Sequence, residues 1–154
     1  MKKIGMFLAS MTGNTEAIGN EIKKQLYEFQ VDIYLMEYID CEADFMLEDY
    51  EILLFGAYTW GDGILPFEAE KTYELLSKYD LTGKIVGVFG SGDFAYPNYC
   101  VVVDMFEERA RQQNGKLVLP SIRMELGPDS EGKLQIIKDF TNSIKEMYQW
   151  SLQK

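Results

Sequence analysis

The sequence predicts a doubly wound α/β domain: five parallel strands with helices on both faces. Three observations carry that prediction. Short apolar runs recur along the chain, and segments of helix length separate them. Three of the runs are nearly continuous in apolar residues, as strands covered by helices on both faces must be. Right-handed crossovers between parallel strands then leave few topologies to consider.

The elements follow in order. Residues 3–9 (KIGMFLA) read as the first strand, and residues 14–29 as a helix with Ala17, Ile18, Ile22, Leu26 and Phe29 on one stripe. Residues 31–36 (VDIYLM) alternate more, which suits an edge strand. Residues 40–49 carry a weaker pattern and are expected to form a short helix. Residues 51–57 (EILLFGA) and 84–90 (KIVGVFG) are the third and fourth strands, with a helix over 68–79 between them. A helix over 104–113 stops at Asn114-Gly115, and residues 116–122 (KLVLPSI) supply the fifth strand. Asp129 or Ser130 caps a last helix in which Leu134, Ile137, Thr141, Ile144 and Tyr148 keep the helical period.

Composition narrows the function. The 154 residues suffice for one domain, 1–154, and 47% are hydrophobic. With 15 basic and 25 acidic residues, the net charge of −10 argues against nucleic acid and against an anionic membrane surface. The lack of histidine removes Ser-His-Asp and Cys-His catalysis and most zinc hydrolase chemistry. Cys41 and Cys100 form no CxxC, so neither a disulfide scaffold nor a zinc ribbon is indicated, and no metal is expected. No cleavage-site pattern follows residues 1–9, and no run reaches the ~20 apolar residues of a membrane span. A cytoplasmic monomer is expected. Between Lys24 and Lys71 there is no basic residue, against 12 carboxylates. Such a stretch is either a solubilising face or a surface that meets a basic partner.

In a doubly wound sheet the ligand lies beyond the carboxyl ends of the strands, so the loops after strands one, three and four are the informative ones. The first is Ser10-Met11-Thr12-Gly13-Asn14-Thr15, running straight into a helix. Hydroxyls, an amide and a glycine at a helix N-terminus suit an anion. Four such donors in six positions exceed what capping requires and favour a phosphate. Neither a Walker A pattern nor a complete dinucleotide fingerprint is present. The second loop is Tyr58-Thr59-Trp60-Gly61-Asp62, and the third runs from Ser91, Gly92 and Asp93 through Tyr96 to Tyr99 and Cys100. Aromatic loop tips either clamp a flat ring or pack on one another as a local cap. No acid–base or nucleophile constellation accompanies them, so a bound cofactor fits better than a substrate.

These three motifs, in this order and each after its strand, resemble the flavodoxin family from end to end. [ST]-x-T-G-x-T is met by Ser10 to Thr15, Thr-Trp-Gly-Asp by Thr59 to Asp62, and Gly-Asp-x-x-Tyr by Gly92 to Tyr96. No long insertion interrupts the fifth strand, which matches the short-chain type. The resemblance implies strand order 2-1-3-4-5, non-covalent FMN and a low-potential one-electron carrier rather than an enzyme. It places the phosphate on Ser10, Thr12, Asn14 and Thr15, with backbone from Met11 and Gly13. Trp60 and Tyr96 would flank the ring, with Tyr99 as an alternative to Tyr96. Gly61 would turn its carbonyl to the flavin N5–H on reduction, and Asp93 would lie near N1. Tyr58 departs from the small hydroxyl residue the family often has there; Thr59 is the alternative donor. Cys100 suits packing better than redox chemistry. Neutral donors at the phosphate leave the carboxylates unopposed, which disfavours negative charge on the reduced flavin and makes it a strong reductant. The acidic stretch then reads as a docking face for basic partners: an NAD(P)H-dependent flavodoxin reductase and acceptor enzymes. The rivals are a quinone reductase of the same fold, an activator of ribonucleotide reductase, and a non-redox binding module.

Overall fold

A computed structural model describes residues 3–153; Met1, Lys2 and Lys154 lie outside the described residues. The strands are β1 (Lys3–Ala9), β2 (Gln30–Leu35), β3 (Ile52–Ala57), β4 (Ile85–Gly92), β5 (Lys116–Leu117) and β6 (Ile122–Glu125). All pair in parallel, in the order β2-β1-β3-β4-β5, with β6 also on β4. The helices are α1 (Asn14–Gln25), α2 (Phe67–Leu76), α3 (Val101–Gln112) and α4 (Glu131–Leu152).

The pleat sends alternate residues of β1 into two cores. Ile4, Met6 and Leu8 join Ile18, Ile22, Ile137 and Ile144 beneath α1 and α4. Phe7 and Ala9 face Leu75, Leu76, Val103 and Phe106 beneath α2 and α3. Every residue of β3 is buried, because helices cover both its faces. β2, an edge strand, keeps the alternating pattern. A run of stacked rings, Tyr34, Phe7, Phe55 and Phe106, crosses the second core with centroids 5.1, 5.3 and 5.8 Å apart.

Two elements depart from the sequence-based expectation. The fifth strand is not continuous: β5 and β6 flank a break at residues 118–121, where Pro120 has no N–H to give to the ladder. Residues 40–49 form no α-helix. The stretch after β2 holds three single 3-10 turns, Met36–Tyr38, Glu42–Asp44 and Leu47–Asp49. Helix ends behave as their chemistry requires. Ser130 Oγ accepts the Lys133 N–H at 3.3 Å, and Asn114 takes a left-handed φ of 68° after α3.

Candidate functional site

The carboxyl ends of β1, β3 and β4 open into one cavity of about 420 Å³. Met11, Thr12 and Asn14 line it from the first loop. Tyr58, Thr59, Trp60 and Gly61 line it from the second, and Ser91, Gly92, Asp93 and Tyr96 from the third. A larger groove, about 560 Å³, runs along α2 and is walled chiefly by carboxylates such as Glu37, Asp40 and Glu74. It has one aromatic, Phe67, and no hydroxyl or amide side chain on its lining, whereas the smaller cavity has both donors and facing aromatics, so the smaller one is the site.

The first loop is built around the start of α1. Gly13 is the N-cap, left-handed at φ 90°, and brings no side chain to the cap. Ser10 reaches forward instead: its Oγ accepts the Glu16 N–H at 3.2 Å. The N–H groups of Asn14 and Thr15 have no acceptor within the helix, so the loop offers backbone donors at the positive end of a dipole. Thr15 is buried, and its hydroxyl lies 2.8 Å from that of Ser91. That bond joins the first loop to the end of β4. Ser10, Gly13 and Thr15 are not on the cavity lining.

The second loop is a tight hairpin. Trp60 and Ile64 exchange both backbone hydrogen bonds at 2.9 Å. Gly61 stands at its tip with φ +49°, where a Cβ would meet nothing within 4 Å. Its constraint is therefore conformational rather than steric, since left-handed φ values disfavour β-branched residues. Asp62 is exposed and lines no part of the cavity; its Oδ1 accepts the Asn98 N–H at 3.0 Å and ties the second loop to the third. Trp60 and Tyr96, 48% and 41% exposed, face the same cavity from different loops and make no ring contact with each other.

The departures are informative. The Tyr58 hydroxyl donates to Glu68 Oε2 of α2 at 2.7 Å and its ring meets Trp60 edge-on, 6.3 Å between centroids. Burial first, then the Glu68 hydrogen bond, pushes its phenol well above the ordinary range. Thr59 is engaged at α3, where its Oγ1 accepts the Val102 N–H at 3.2 Å. Neither hydroxyl is aimed at the first loop. Tyr99 packs against Phe94, 4.4 Å between centroids, and lies outside the cavity. Cys100 is fully buried, and burial raises its thiol above the ordinary value, away from thiolate chemistry. Gly92 must be glycine there, because a Cβ would come within 2.9 Å of Cys100 Sγ and 3.0 Å of its backbone N.

Glu125 and Leu126 also line the cavity, and no motif singled them out. A carboxyl residue and a leucine at a strand end carry no signature in sequence. Among the described residues, the charged side chains on the lining are Asp93 and Glu125. Asp93 Oδ1 accepts the Ala95 N–H at 2.8 Å, and Glu125 Oε2 accepts the Phe94 N–H at 2.9 Å. No described lysine or arginine lines it. Among the described residues no group of side chains suits a metal ion, and no helix is long and apolar enough to cross a membrane.

Neutral hydroxyl, amide and backbone donors at one end of the cavity and two aromatics across the other suit a phosphate monoester that carries a planar ring. Fold and site together define a mononucleotide-binding protein of the doubly wound class. The comparisons with known proteins narrow this. The family model described as Flavodoxin matches residues 6–140. "Probable flavodoxin 2" of Bacillus subtilis is 39% identical over 137 residues, 89% of this chain and 91% of the relative. Oxidised flavodoxin 2 from Bacillus cereus superposes with a TM-score of 0.86 at 40% identity, covering 96% of this chain and 99% of that one. A short-chain flavodoxin associated with a PDU bacterial microcompartment superposes at 0.87 with 29% identity, over 96% and 99% of the two chains. The chain belongs to the flavodoxin family. It is an FMN-binding one-electron carrier, not an enzyme with its own substrate, and flavodoxins are a stock example of the rule that doubly wound sheets bind ligands at the switch point.

Proposed function

We propose that the whole 154-residue chain is one domain that holds FMN with its phosphate on the loop Ser10 to Thr15 and its ring between Trp60 and Tyr96. The observation that carries this reading is the single cavity on which the start of α1, Trp60 and Tyr96 converge. FMN supplies the one-electron chemistry; the protein supplies binding, orientation and field. Backbone N–H groups at the dipole end and the hydroxyls around them hold the phosphate without a cation. The two aromatics exclude water from the ring. Gly61, already at φ +49°, has the conformational freedom to turn its peptide. Asp93 and Glu125 keep the surrounding potential negative, which favours giving the electron away.

The partners are basic proteins: a reductase that loads the carrier and acceptor enzymes that unload it. Met11, Ile64 and Phe67 are exposed beside Trp60, with Glu68 and Glu70 at their edge. An exposed apolar patch with an acidic rim suits contact with a basic surface. A charge of −10 disfavours self-association, in keeping with a monomer. The free thiols of Cys41 and Cys100 suit a reducing compartment, the cytoplasm. The test is an absorption spectrum of the purified protein, followed by electron-transfer rates from a basic reductase across ionic strength. A flavin band, and a rate that falls as salt screens charges beyond ~8–10 Å, are expected. A colourless protein that takes up no flavin would refute the cofactor, and a salt-independent rate would refute the docking face.

A further inference from the structure

The structure assigns a fourth wall to the cofactor site: the segment Glu125-Leu126-Gly127, with Leu126 as a binding residue and Lys133 of α4 as the residue that positions it. The inference rests on the reading of this cavity as the FMN site.

The segment touches each part it would need to coordinate. Glu125 pairs with Gly92 in the sheet, and its carboxylate accepts the Phe94 N–H of the third loop at 2.9 Å. Gly127 lies against the phosphate loop, where a Cβ on it would meet Asn14 Oδ1 at 3.8 Å and Ala17 Cβ at 3.6 Å. Leu126, between them, lines the cavity and is 52% exposed. Its φ is +62°, a left-handed conformation in which a branched apolar side chain is strained. Strain of this kind persists only where the surroundings impose it, and it gathers at ligand sites.

Lys133 is what imposes it. From the first turns of α4 its Nζ donates to the carbonyl oxygens of Glu125 and Gly127, the two residues that flank Leu126. The same ammonium pairs with Asp129 Oδ1 at 2.8 Å, and the stem is largely covered. The peptide that enters Leu126 and the one that leaves Gly127 are thus fixed to one charged group. An exposed leucine held in a strained conformation, with its side chain on the lining, is costly for the fold alone. It is useful if that side chain covers an apolar part of the ligand.

The experiment uses full-length protein and reads apoprotein melting temperature beside FMN affinity. Asparagine tolerates the left-handed conformation and leaves no apolar cover. Leu126→Asn is therefore expected to melt at or above the wild-type temperature while binding FMN about 3–10-fold more weakly, the scale of one partly buried aliphatic side chain. Lys133→Met, which keeps the stem, should also weaken FMN binding, and Lys133→Arg should recover most of it. FMN affinity within twofold of wild type for Leu126→Asn would overturn the inference. So would a loss of affinity that merely follows a lower melting temperature. If Lys133→Met fails to fold, Leu126→Asn decides alone. Wild-type protein that binds no FMN would sink the parent reading instead.

Discussion

Replacing Ser91 by alanine tests the joint between the loop after β1 and the sheet. Ser91 Oγ and Thr15 Oγ1 lie 2.8 Å apart, and the residues are 4% and 1% exposed. A hydrogen bond between neutral buried groups contributes about 0.5–1.5 kcal/mol net, and a partner left without one costs ~1–3 kcal/mol. Ser91→Ala strands the threonine hydroxyl, and Thr15→Val strands the serine. Each single change should therefore destabilise the apoprotein by about 1–3 kcal/mol in urea unfolding. The double change strands neither group, so it should cost less than the sum of the singles by ~1 kcal/mol. The backbone offers no alternative explanation, because the Ser91 carbonyl is held independently by the Thr59 N–H at 3.0 Å. FMN affinity measured on the same four proteins should fall with each single change, since the pair sets the distance between two walls of the cavity. Energies that add to within ~0.3 kcal/mol would mean that the hydroxyls do not interact, and would refute the reasoning.

Three further outcomes follow from the geometry. Trp60→Ala and Tyr96→Ala should each weaken FMN binding by about 1–3 kcal/mol, by analogy with base–aromatic stacking; fluorescence titration of the apoprotein checks this, and unchanged affinity in both would mean the rings merely cap the loops. Gly61→Val forces a β-branched residue into φ +49°, so it should lower the first one-electron potential by on the order of 50 mV, read by potentiometric titration. The side chain of Gln30 first, then the Tyr50 hydroxyl, hold the Asp32 carboxyl below its ordinary value of 3.8. A depressed carboxyl stabilises the fold above that value and stops doing so as pH falls through it. Asp32→Asn should accordingly cost something under ~1 kcal/mol at pH 7 and progressively less as pH falls below 3.8, as urea unfolding across that range would read.

Strands β1, β3 and β4 were legible because burial on both faces writes a continuous apolar run into the sequence. That the loop after β1 and the Trp60 loop line one cavity was legible because unusual residue types sit at strand ends. The break in the fifth strand was not, since KLVLPSI keeps its apolar character across Pro120 and hydropathy does not register a missing N–H. The roles of Tyr58 and Thr59 were hidden for a different reason. Their partners, Glu68 and Val102, lie on helices whose approach to the loop is a product of packing. Glu125 and Leu126 came to the cavity through β6 pairing with β4, which no local pattern announces.

The central claim is that this edge of the sheet is built for a phosphorylated flavin. Titrating the apoprotein with FMN and with riboflavin, by quenching of flavin fluorescence, tests it most directly. Loss of the phosphate removes two or more charge-assisted hydrogen bonds, each contributing about 1.5–3 kcal/mol. FMN should therefore bind at least ~100-fold more tightly than riboflavin. Equal affinities would contradict the assignment of Ser10 to Thr15 and, with it, the account of the site.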